Sequence, residues 1–353
     1  MKRGAFGKVL PILSVVLVLA VLFWAQGRLG GYAKTFLYLS GIYAIWAVSF
    51  NLVYGYTGQF SLGLAGIAAV GAYTMALLTV PPAMKQLTFI LAPPVWPISV
   101  IHWPFFPALI LSGILAAIVG FIIGAPALRV RGNYLVIVTL GFSEIIRMTL
   151  TNLPSFCNSS LGIKNIPTDA NLVWIWGALI LTVFVTKRLV DSAYGRGMKG
   201  IRDDEVAAEA MGINLFYHKT LAFVVSAFFI GIGGALYAQI LGAIAPDSFH
   251  TALTYAAVTI VVLGGVGSIT GSVIAALAYT AASELLRAAE SPLNILGYHL
   301  PATPGLRMLV LAVVLLVVIL RYRKGLLGAK EFSWQWVQSV ARSVVRGTRK
   351  QGA

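Results

Sequence analysis

Four ionisable residues stand inside apolar stretches, where charge is costly and tends to face a protein interior or a water-filled path. They form two pairs, Glu144 with Arg147 and Glu284 with Arg287, each three residues apart. That spacing puts both members on one helix face, where they can pair. Such a pair offers a cation and a carboxylate to a solute carrying the complementary charges, as an α-amino acid does. The plainer reading is a self-neutralising pair that fixes helix packing. Gln59 and Ser61 lie in one glycine-rich break, 55–63, and Ser268 lies in another, 264–271. Breaks of this kind can expose backbone groups to a solute, or serve as tight turns and close helix contacts. Covalent chemistry has little support. The four histidines are scattered, Cys157 is the single cysteine, and no metal-ligand spacing is found. The phosphate-binding G-x-x-x-x-G-K-[ST] pattern and the G-x-S-x-G nucleophile pattern are absent too. We expect no cofactor, no metal and no enzyme activity, and energy for any active process must come from a partner or an ion gradient.

The elements that position these residues are membrane helices. The 353 residues are 59% hydrophobic and 10% charged, against roughly 25% charged in a soluble domain. An all-α polytopic membrane protein of about ten transmembrane helices is expected, at 9–24, 35–54, 60–80, 106–128, 133–150, 172–186, 220–240, 252–263, 272–289 and 306–320. Residues 1–320 then form the membrane domain and 321–353 a basic cytoplasmic tail. The basic start and long apolar run at 9–24 suit a retained first span rather than a cleaved leader.

A net charge of +15 could point to nucleic acid. Its distribution points to orientation instead. With both termini inside, the inner segments hold 19 lysines and arginines and the outer ones hold 4, as the positive-inside rule requires. No nucleic-acid partner is expected, and membrane lipid is. The two Glu/Arg pairs also suggest a parallel repeat of spans 3–5 and 7–9. Ser143-Glu144-Ile145-Ile146-Arg147 and Ser283-Glu284-Leu285-Leu286-Arg287 would be its matching marks, and Ser61 with Gly66-Ile67 would match Ser226 with Gly231-Ile232.

The longest strongly polar run inside the apolar chain is 187–219. A short helix is legible there. Asp203 suits its N-cap, Asp204 and Glu205 its first turn, and Gly212 the C′ position. About two turns cannot stand alone in water, so the helix needs a partner surface. Ala207, Ala208 and Ala210 keep it slim enough for a groove. The segment reads as a docking element through which another protein drives the membrane domain.

Several motifs together resemble one family. Leu128-Arg129-Val130-Arg131-Gly132-Asn133-Tyr134-Leu135 is followed by Thr139-Leu140-Gly141-Phe142-Ser143-Glu144-Ile145-Ile146-Arg147. Later come Ile201-Arg202-Asp203-Asp204-Glu205-Val206-Ala207-Ala208-Glu209-Ala210-Met211-Gly212-Ile213-Asn214, then Ala245-Pro246-Asp247-Ser248-Phe249 and Val262-Leu263-Gly264-Gly265-Val266-Gly267-Ser268. Over about 35–320 the chain resembles the LivM-like inner-membrane permeases of bacterial branched-chain amino-acid ABC transporters. The resemblance implies a heterodimer with a LivH-like permease, two cytoplasmic ATPases and a periplasmic substrate-binding protein. It also implies an E-A-A…G coupling helix that docks in the ATPase. Ala207, Ala208 and Gly212 fit that pattern, but Val206 holds the Glu position and Glu205 stands one residue early. A second departure is at 157–163, where only Gly162-Ile163 remains of a Gly-Gly-Pro-Asn-Gly-Ile stretch. Urea and short-amide permeases share the pattern, which leaves the substrate open. From another class, an ion-coupled secondary transporter would work without an ATPase.

Overall fold

In the computed structural model the described residues are 31–129 and 134–290, with isolated positions on either side and a short hairpin beyond. Apart from isolated positions, the expected first and tenth spans lie outside the described residues, and the tail 321–353 does so entirely. The other eight expected spans each correspond to a helix. In chain order the helices are α1 (Gly31–Thr57), α2 (Leu64–Thr79), α3 (Pro82–Thr88), α4 (Phe105–Ala127), α5 (Tyr134–Asn152) and the short α6 (Pro154–Cys157). They continue with α7 (Leu172–Val190), α8 (Ala193–Asp203), α9 (Glu205–Ala210), α10 (Leu215–Leu241), α11 (Thr251–Gly264) and α12 (Ile269–Glu290). An antiparallel hairpin pairs Leu293–Ile295 with Tyr298–Leu300. Among the described residues seven helical segments are long and apolar enough to cross a membrane. An eighth span results if α2 and α3, bent by 119° at their junction, count as one. The fold is all-α and polytopic, and ten spans are not reached within these residues.

The ends of the helices follow from local chemistry. The Asn171 side chain accepts from the Trp174 N–H at the start of α7, and Lys187 and Arg188 occupy its last turn, where the dipole favours cations. Asn214 caps α10 by accepting from Tyr217 N–H, and Gly242 closes it at φ 68°.

Helix α10 is the centre of the bundle, packed on α1, α2 and α4. In lipid no hydrophobic force draws apolar helices together, so small residues that allow close backbone approach decide the packing. A Cβ on Gly71 of α2 would sit 2.1 Å from the Gly231 carbonyl oxygen of α10, and one on Gly234 would sit 2.1 Å from the Ala68 oxygen. Trp46 is fully buried in this core and donates from Nε1 to the Ile230 carbonyl at 3.2 Å. The periphery is different. Only 17% of the apolar stretch of α5 is buried, against 72% for α1 and for α10. Much of α5 therefore meets lipid or a partner.

The loops sort to two ends, as the alternation of spans requires. At one end, Asn158 Nδ2 donates to the Thr88 carbonyl at 2.8 Å, Val95 N–H to the Ser155 carbonyl at 3.3 Å, and Ile163 forms a bridge with Ile244. At the other, the Arg129 guanidinium lies 5.5 Å from the Phe216 ring centre, beside the polar segment 187–219.

Lys85, on α3 at the first end, is 1% exposed, and its ammonium donates to the carbonyls of Ile98 and Ile101 at 2.8 and 2.6 Å. Burial brings its pKa down to about 8. The folded state disfavours the charged form, so stability rises as pH climbs through 8 towards the ordinary lysine value. Amide exchange of 98–103, corrected for intrinsic rates, is expected to be slower at pH 9 than at pH 7. Protection that falls over this range would contradict the buried amine.

Candidate functional site

The first break is built from a helix that stops and another that starts inside the bundle. α1 ends at Thr57 with Gly58 at φ 72°. Residues 59 and 61–63 are buried and irregular, and α2 begins at Leu64. Gly63 supplies no side-chain cap. Neighbouring hydroxyls do that work instead. Leu62 N–H donates to Thr139 Oγ1 at 3.0 Å, Gly63 N–H to Ser61 Oγ at 3.3 Å, Ala65 N–H to Thr254 Oγ1 at 3.1 Å and Gly66 N–H to Ser143 Oγ at 2.8 Å. Thr139 and Ser143 belong to the first half of α5, and Thr254 lies one turn into α11 from the opposite end. The start of α2 is thus at depth, and irregular backbone is tolerated there because protein covers it. Ser61 has a definite place in this arrangement. Gln59 is 4% exposed, and neither end of its amide has a hydrogen-bond partner. A cleft lined by Phe50, Ser61, Ile67, Phe223, Ser226 and Ile230 has a volume of about 10 Å³. One water needs about that much, so the cleft has room for no more than about one.

The second break joins α11 to α12 through Gly265 and Gly267, at φ 112° and 84°. Asn51, fully buried in α1, holds it. Its Oδ1 accepts from Gly267 N–H at 2.9 Å, and its Nδ2 lies 2.9 Å from both the Ser268 carbonyl and Ser272 Oγ. Asn51 was not singled out from sequence, although a lone amide in an apolar span is a signal of this kind. Thr139 and Ser143 stood in the quoted motif and Ser143 also in a repeat mark, with no capping role read from either, and Thr254 had no signal beyond its residue type.

Glu144 and Arg147 do pair, Nε to Oε2, at 2.8 Å. They also reach outward. Arg147 Nη1 lies 3.2 Å from Asp247 Oδ1, and Thr251 Oγ1 donates to Glu144 Oε1 at 3.2 Å. The pair thereby ties α5 to the turn before α11. Glu284 and Arg287 are looser, at 3.8 Å, with Arg287 68% exposed and Glu284 Oε2 buried without a partner. No hydrogen bond or ion pair joins the two pairs among the described residues. Of the marks of the expected repeat, Ser61 lies in a break and Ser226 lies within the continuous α10.

The polar segment contains two helices where one was expected. α8 was missed because Gly195, Gly197 and Gly200 lower its helix propensity. Ser192 caps it, and Gly195, Met198 and Ile201 form its buried face. The cap of α9 also corrects the sequence reading. Asp204, not Asp203, is the N-cap, and it accepts from the N–H groups of Val206 and Ala207. Asp203 ends α8 and pairs with Arg202 at 2.8 Å. Two adjacent aspartates are both good caps by type, and only the bend between the helices decides. Gly212 is at C′ as expected, with φ 80°. Ile213 N–H donates to the Ala208 carbonyl and Gly212 N–H to that of Glu209, which closes a Schellman motif. Glu205 has a partner inside the chain, Lys219 Nζ of α10 at 2.6 Å. Ala208 faces inward, whereas Ala207 and Ala210 are exposed beside Val206 at 69% and Met211 at 82%. A cavity of about 520 Å³ adjoins α9, lined by Arg129, Glu205, Glu209, Gly212, Phe216 and Lys219 among others.

Residues 32–319 match the family described as branched-chain amino acid transport system / permease component. The high-affinity branched-chain amino acid transport system permease protein LivM of Escherichia coli (strain K12) is 33% identical over 286 residues, covering 70% of this chain and 62% of that protein. LivM of Salmonella typhimurium is 34% identical over 283 residues, covering 70% and 61%. A probable LivM of Methanocaldococcus jannaschii is 26% identical over 324 residues, covering 82% and 91%. The chain thus spans about three fifths of the length of the first two relatives. No solved structure matches it. With 32–319 matched and seven membrane-length apolar helices among the described residues, the chain belongs to the permease-component family of branched-chain amino acid transport systems.

Proposed function

We propose that this chain is the permease subunit of an ABC importer that carries leucine, isoleucine or valine across the bacterial inner membrane. Two cytoplasmic ATPases drive it, a periplasmic binding protein delivers the solute, and a second, LivH-like permease completes the pore. The observation that carries this reading is the α8–α9 element. It is a short capped helix that presents Val206, Ala207, Ala210 and Met211 to the outside and is anchored to the bundle by Glu205 and Lys219. An exposed apolar knob on a basic membrane face suits an ATPase cleft. The relatives' names support the substrate class. The positive-inside bias supports placing 187–219 and both termini in the cytoplasm.

In this reading the protein makes and breaks no covalent bond. ATP-driven closure of the partners shifts α9, and the bundle passes between outward and inward access. Gln59, Ser61, Glu144, Arg147, Glu284 and Arg287 are the residues proposed along the path. Glu144, ten residues into an apolar helix with its side chain 37% exposed, would be costly against lipid. That favours a path or the second permease over this face of α5.

Reconstitution tests the reading. Proteoliposomes holding both permeases and the ATPases are expected to take up leucine only with ATP and binding protein. Uptake by this chain alone, driven by an ion gradient, would replace it with the secondary transporter, and uptake of urea in place of leucine would change the substrate. In the same assay Arg147→Ala is expected to lower uptake about tenfold, the loss of roughly one charged contact. Asp247→Asn, at an 87% exposed carboxylate, is expected to change it less than twofold. Equal, mild effects would leave the Glu144/Arg147 pair with a packing role.

A further inference from the structure

We infer that Arg202 is the positioning residue that carries movement of α9 into both breaks of the membrane domain. The inference rests on the importer reading above. Arg202 stands one residue before the bend between α8 and α9, and its guanidinium faces two ways. Nε and Nη2 hold Asp203 Oδ1 at 3.0 and 2.8 Å, while Nη1 donates to the Gly55 carbonyl at 3.2 Å. Gly55 lies in the last turn of α1, where carbonyls lack helical partners and the dipole favours a cation. The side-chain stem passes beside Gly58, an exposed residue that opens the first break. A Cβ built on Gly58 would meet Arg202 Cγ at 3.3 Å. The second break is adjacent. A Cβ on Gly267 would lie 3.6 Å from Arg202 Nη1, and one on Gly55 would lie 2.5 Å from the Gly267 nitrogen.

The rest of α8 reinforces the link. Met198 is buried in a cluster with Val48, Leu52 and Tyr56 of α1 and Ile269 of α12. Lys199 Nζ lies 5.8 Å from the Tyr56 ring centre. Asn51, one turn before Gly55, holds Gly267, Ser268 and Ser272. A displacement of α9 cannot leave α8 behind, since Asp204 alone separates them. It reaches Gly55 and Gly58 through Arg202, and the 265–268 turn through Asn51. The Glu205–Lys219 pair conveys the same displacement to α10 separately, so Arg202 is specific to the breaks.

The test uses the complete complex in proteoliposomes and reads leucine uptake per ATP hydrolysed. Arg202→Ala is expected to keep ATPase co-purification and at least half of the hydrolysis, while uptake per ATP falls about tenfold. Arg202→Lys keeps the charge, but one ammonium cannot hold Gly55 and Asp203 together, so an intermediate ratio is expected. An unchanged ratio in Arg202→Ala overturns the inference, and so does a proportional loss of uptake and hydrolysis, which marks a purely structural role. Should Arg202→Ala fail to accumulate, Arg202→Lys decides alone, and a wild-type ratio overturns the inference. Absence of ATP-dependent uptake in the unaltered complex would instead count against the importer reading itself.

Discussion

Tryptophan in place of Gly212 is expected to abolish co-purification of the proposed partner ATPase while the chain still inserts and accumulates. The residue adopts φ 80°, and a Cβ there would meet nothing within 4 Å. The insult is therefore conformational rather than steric. A bulky L-residue in this region is strained by about 1–3 kcal/mol, and the easiest relief is to open the Schellman bonds to Ala208 and Glu209. α9 has six residues and no reserve of stability. Opening its C-terminus unwinds the knob, and the new indole stands where the cleft must close. The bundle is untouched, because Gly212 is exposed. Gly212→Asn, which tolerates the left-handed region, is expected to retain most binding. Affinity capture from membranes checks both variants. Normal capture with Gly212→Trp would remove α9 from the interface.

The largest loss of stability is expected from Gly71→Val. Its Cβ would lie 2.1 Å from the Gly231 oxygen and 2.6 Å from that residue's carbonyl carbon and Cα. Those are backbone atoms of the central helix, and no rotamer change can move them. α10 cannot retreat either, since a Cβ on Gly231 would already lie 2.2 Å from Ala116 Cβ of α4. The variant must separate α2 from α10 and lose the core around Trp46, a cost above about 4 kcal/mol. Folded protein is expected to be undetectable by size-exclusion chromatography after detergent extraction. Gly177→Ala in α7, where a Cβ would meet nothing within 4 Å, is the control and should behave as wild type. A folded Gly71→Val protein would show that the two helices do not touch as described.

The spans were legible because each needs only a long apolar run, and lipid removes most other ways to satisfy a backbone. The Glu/Arg pairs were legible because spacing alone sets a shared helix face. Spacing could not supply Asp247 and Thr251, which come to Glu144 and Arg147 from about a hundred residues away. The second helix of the polar segment was hidden by its glycines, which read as flexible but serve close packing. Gly195 is one such case, since a Cβ there would collide with the Val190 carbonyl. Nor could sequence choose between the two readings of the glycine-rich breaks. The structure places the first amides of α2 on hydroxyls from Thr139, Ser143 and Thr254, and those are ordinary residues in an apolar helix.

Those hydroxyls have a mechanical consequence. Each is a neutral acceptor in a buried position, with Thr139 and Thr254 fully buried and Ser143 nearly so. A neutral bond of this type has a net worth of about 1 kcal/mol, whereas separating a buried ion pair costs about 3–5. The start of α2 is thus held by neutral contacts, whose parting would leave no orphaned charge behind.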